Sequence, residues 1–73
     1  MARQASTIPT HTLTRPAPLP CSSMYLAGWE YGDWFIVKAG EEVNLYADAP
    51  DQWGDEKANG FYDRLAEERT SLH

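Results

Sequence analysis

The sequence predicts an α+β fold: a small three-stranded antiparallel β-meander covered by one C-terminal helix, with an extended N-terminal arm. Three observations carry that expectation. The stretch from Tyr25 to Asp48 holds most of the aromatic residues, and nearly every β-branched residue outside the N-terminal arm, in short runs. Those runs are separated by Tyr31-Gly32-Asp33 and Gly40-Glu41-Glu42, both of which have turn chemistry. The last third carries apolar residues at helical spacing.

The arm comes first. Residues 1–23 hold four of the five prolines (Pro9, Pro16, Pro18 and Pro20) among Thr, Ser and Ala. Each proline lacks a backbone donor and biases the residue before it away from helix, so the segment is expected to be flexible or loosely docked. Its prolines are two apart, not the three apart of a PxxP ligand, and a short strand at His11–Thr14 is compatible with its alternation. Residues 24–73 form the single small acidic domain. Met24–Glu30 reads as the first strand, with Tyr25, Ala27 and Trp29 on one face. Trp34–Ala39 is the strongest strand, being rich in aromatic and β-branched residues, and Val43–Ala47 is the third.

A turn near Pro50–Gly54 leads to a helix from about Asp55, since glycines at 54 and 60 each cost roughly 1 kcal/mol inside a helix. Ala58, Phe61, Tyr62, Leu65 and Leu72 recur along one face, with Arg69 filling the remaining slot through its aliphatic stem. Asp63, Arg64, Glu67 and Glu68 are assigned to solvent.

Seventy-three residues make one domain with a marginal core. The single cysteine, Cys21, closes no internal bridge, and with only two histidines, His11 and His73, no ordinary zinc site is expected. No apolar run has the roughly 18 residues of a membrane span, and no signal-peptide hydrophobic region is evident at the N-terminus. The expectation is a cytoplasmic, non-enzymatic protein without cofactor or metal. Neither histidine is placed to serve a nucleophile, the glycines are too dispersed for a phosphate loop, and an EF-hand register from Asp51 fails at Trp53 and Glu56.

Charge is the most informative property. Residues 1–22 carry two arginines and no acid, whereas residues 23–73 carry four bases against all eleven acids. Such a body repels nucleic acid and attracts basic surfaces, so direct nucleic-acid binding is not expected. Asp48, Asp51, Asp55 and Glu56 fall within nine residues, with Asp63, Glu67 and Glu68 following on the helix. Carboxylates on successive turns and an adjacent loop approximate the charge density of duplex DNA, one charge per roughly 1.7 Å. Trp29, Trp34 and Trp53 are the candidate apolar anchors, because Trp and Tyr dominate interface energetics.

In size and in the acids from Glu30 to Glu68 the chain is similar to small acidic phage-encoded inhibitors of host nucleic-acid machinery. These include DNA mimics, anti-CRISPR proteins and inhibitors of gyrase, RNA polymerase or repair glycosylases. The resemblance implies a partner-binding surface of Asp48, Asp51, Trp53, Asp55, Glu56, Asp63, Glu67 and Glu68 with Trp29 or Trp34. The partner would be a host DNA- or RNA-processing complex. Two other classes remain open: an antitoxin-like or regulatory partner of a basic protein, and a self-assembling module such as a homodimer.

Overall fold

The computed structural model describes residues 13–71. Helix α1 spans Ser23–Ala39, a 3-10 turn spans Gly40–Glu42, and helix α2 spans Asp55–Ser71. The two helices pack along each other as a hairpin, with residues 43–54 linking them and residues 13–22 leading into α1. No strand occurs among the described residues. The expected α+β meander is therefore overturned: its first two strands and the turn between them are one continuous helix, and its third strand is linker. The arm residues 1–12 and the C-terminal Leu72 and His73 lie outside the described residues, and Leu13 and Thr14 form no strand.

The physical reason for the helix is a second periodicity under the first. Gly28, Trp29, Gly32, Asp33 and Ile36 are the buried positions of α1, a spacing of three and four that fits one helical stripe. Ser22 caps the helix, its hydroxyl accepting the Tyr25 amide at 3.1 Å. Lys38 lies in the last turn, where the helix dipole favours a cation. Gly40 ends the helix at φ 63°, a left-handed conformation that other residues rarely adopt.

Glycines set how closely the helices approach. A methyl group at Gly28 would strike the Lys57 carbonyl on α2, and one at Gly60 would strike the Tyr25 carbonyl on α1. The two backbones are therefore in direct contact at this crossing, which only a residue without Cβ permits. At Gly32 the neighbour is the Arg64 side chain, 3.1 Å from the same notional carbon.

Above this contact Ile36, Phe61 and Leu65 form the buried core. The linker closes over it with Val43, Leu45, Ala47, Ala49 and Trp53. Two side chains of α2 fasten the linker. Tyr62 accepts the Ala49 amide at 2.9 Å, and Arg69 donates to the Leu45 carbonyl at 2.8 Å while its guanidinium stacks on Tyr46. Helix α2 starts at Asp55, and Phe61 and Leu65 face inward as their spacing predicts. Tyr62 is exposed, and Arg64, expected in solvent, is buried.

Candidate functional site

Two polar systems must be separated before any surface can be assigned a role. The first is internal. Asp33 and Arg64 are 0% and 1% exposed, and Arg64 Nε donates to Asp33 Oδ1 at 2.8 Å. Thr14 completes the set, its hydroxyl donating to Asp33 Oδ1 at 2.6 Å and its amide to Oδ2 at 3.0 Å. The other guanidinium nitrogens reach Thr14 Oγ1 and Glu68 Oε1, each at 3.0 Å. No buried side-chain nitrogen or oxygen among the described residues lacks a partner. One arginine thus joins α1, α2 and the segment before α1. Buried polar groups are tolerated when each is satisfied in this way.

Burial by itself pushes the Asp33 carboxyl up. The two Thr14 hydrogen bonds and the Arg64 guanidinium more than offset it, and hold the group below its ordinary range. The folded pKa is below the unfolded value of about 3.9, so this contribution to stability is complete above that value and is lost as pH falls through the folded pKa. Urea midpoints are expected to decline as the pH is lowered below about 4. Thr14→Ala, which removes the hydroxyl but leaves the amide, is expected to shallow that decline. An identical acid limb in wild type and variant would mean that Asp33 is not the group responsible.

The second system is the surface, where the sequence-predicted residues separate into three groups. Asp48 and Asp51 in the linker, and Asp55 and Glu56 in the first turn of α2, are exposed. None of these four has an ion-pair partner among the described residues. The other three acids are engaged within the chain. Asp63 accepts the Tyr25 hydroxyl at 2.5 Å, Glu67 lies 3.8 Å from Arg15, and Glu68 is bonded to Arg64. Burial, first, and the Asp63 carboxylate, second, push the Tyr25 phenol well above its usual value, so it stays a donor.

The tryptophans also separate. Trp29 is 3% exposed, and its indole donates to the Arg15 carbonyl at 2.8 Å, which fastens the N-terminal segment to α1. Trp34 and Trp53 are half-buried and are joined through Tyr31, whose ring centroid lies 5.4 Å from one and 5.0 Å from the other. Lys57 lies 4.4 Å over Trp53, and Lys38 lies 5.6 Å over Trp34. Trp53 thus lies in sequence among the four exposed acids and is joined to Trp34 through Tyr31, while Trp29 is inside.

Sequence reasoning missed Tyr31 as the link and missed the Asp33–Arg64 pair. A signal for the pair was present. Each charge occupies an inward slot of its helical stripe, Asp33 after Trp29 and Gly32, Arg64 after Gly60 and Phe61.

Among the described residues no group of three His, Cys, Asp or Glu side chains could hold a metal ion. An open cleft of about 490 Å³ runs beside the N-terminal segment, lined by Pro16, Pro18, Tyr25, Trp29, Asp63 and Glu67 among others. No described helix is long and apolar enough to cross a membrane. The fold and surface together define a helical hairpin with an acidic, aromatic-edged linker. No family model matches the chain, and no curated protein or solved structure matches it significantly.

Proposed function

We propose that this protein is a non-enzymatic, cytoplasmic protein binder. In this reading it covers the basic nucleic-acid-binding surface of a host DNA- or RNA-processing complex, in the manner of a phage-encoded inhibitor. The observation that carries the reading is the exposed set Asp48, Asp51, Asp55 and Glu56, which has no ion-pair partner among the described residues and flanks half-buried Trp53 in sequence. Acids without internal partners keep their field for an incoming basic surface, and a neighbouring aromatic ring supplies contact area that charge alone does not. Asp63, Glu67 and Glu68 are already bonded within the chain and contribute less.

The test begins with affinity capture from a bacterial lysate at low and raised salt, with duplex DNA as competitor. The expected result is one nucleic-acid-handling complex, weakened by salt and displaced by the duplex. Neutralising the four linker and α2 acids to Asn and Gln is expected to slow association about tenfold or more and to flatten its salt dependence. Neutralising Glu67 should change either quantity little. Recovery of a small basic protein would instead support an antitoxin-like role, and unchanged association in the fourfold variant would end the mimic reading.

A further inference from the structure

The face of α1 turned away from α2 is less polar than a solvent face needs to be. Between the buried positions run Ala27, Glu30, Trp34, Val37 and Lys38, with Tyr31 at the edge, where its ring also packs on Trp53 and Phe61. Val37 is 52% exposed, and Trp34 is only partly buried. Helix α1 is apolar on both sides, whereas α2 is apolar only toward α1. An amphipathic helix of a monomer needs one apolar stripe.

The charges on this stripe say what covers it. Glu30 and Lys38 stand four residues before and four after Trp34, so each is about one turn from it. Glu30 has no ion-pair partner among the described residues, and Lys38 only stacks over Trp34. We propose that the protein forms a homodimer through this face, with two α1 helices antiparallel and Trp34 on the two-fold axis.

In that arrangement Glu30 faces the partner's Lys38, and symmetry makes the pair twice. Tyr31 falls opposite the partner's Val37, which sets ring against aliphatic surface. A parallel pairing would place Glu30 against Glu30 and Lys38 against Lys38, so the charge order itself selects the antiparallel register. An isologous interface of this kind is self-complementary. It shares Trp34 with the aromatic edge of the Trp53 patch but uses none of Asp48, Asp51, Asp55 and Glu56.

Sedimentation velocity of the full chain across a wide concentration range tests the proposal. A reversible monomer–dimer equilibrium is expected. Glu30→Lys or Lys38→Glu alone turns two attractions into two repulsions and should weaken dimerisation about tenfold. The double swap, Glu30→Lys with Lys38→Glu, should restore it to within about threefold. Circular dichroism confirms that each variant keeps its helices, and Val37→Glu probes the same face without touching the pair, with a weaker dimer expected. A monomer at every concentration overturns the proposal. So does a dimer indifferent to the single reversals or to Val37→Glu, and so does a double swap that fails to restore what the single reversals remove.

Discussion

Replacing Arg64 with alanine is expected to cost about 3–5 kcal/mol, because it takes the guanidinium away from a buried carboxylate. A core of this size supplies roughly that much in total, so the variant should be largely unfolded at 25 °C by circular dichroism. The guanidinium bonds Asp33, Thr14 and Glu68 through three separate nitrogens. Lysine cannot reproduce that fork, and Arg64→Lys should therefore also lose most of the stability. Asp33→Ala is expected to cost less than Arg64→Ala, since the guanidinium keeps Glu68 as a charged partner. The joint replacement Asp33→Leu with Arg64→Met removes both charges and should be less destabilising than either single alanine variant. A loss under about 1 kcal/mol for Arg64→Ala would show that water reaches the pair and that the network is not what joins the three segments.

The second large effect lies at the helix crossing. Gly28→Ala and Gly60→Ala each direct a methyl group into a backbone carbonyl of the facing helix, and a backbone cannot rotate aside as a side chain can. Overpacking of this kind costs about 1–3 kcal/mol and more where nothing yields. The gain of roughly 1 kcal/mol in helix propensity on replacing glycine offsets only part of it. The expected result is a fall in thermal midpoint of about 10 °C or more for either variant. Gly32→Ala should be milder, because its nearest neighbour lies 3.1 Å away and not at the 1.8 or 2.0 Å met at Gly28 and Gly60, and Gly54→Ser, at a position open to solvent, should change stability by no more than about 0.5 kcal/mol. If Gly28→Ala or Gly60→Ala proved stabilising, the helices could not be in backbone contact.

The surface was more legible than the fold. That Asp48, Asp51, Asp55 and Glu56 form a run, and that Trp53 sits among them, is written in consecutive positions. Residues adjacent in sequence remain adjacent in any fold. Whether Asp63, Glu67 and Glu68 join that run depended on Tyr25, Arg15 and Arg64, which lie up to 52 residues away in the chain. Only the Arg64–Glu68 pair, four apart on one helix, carries a local signature. Trp29 illustrates the same limit: as an indole it suits an interface or a core, and the Arg15 carbonyl that holds it inside lies 14 residues upstream.

The sequence by itself determined the second helix, the acidic character of the linker and the small size of the core. These follow from spacing, composition and length, which act locally. Only the tertiary structure decided that residues 23–39 are helix and not two strands. Tyr25, Ala27 and Trp29 alternate as a strand would, yet Gly28, Trp29, Gly32 and Ile36 also make a helical stripe. The tie is broken by α2, against which the glycines permit backbone contact and Asp33 finds Arg64. A strand would present Gly28 and Trp29 to opposite faces, separating two positions that this helix buries together.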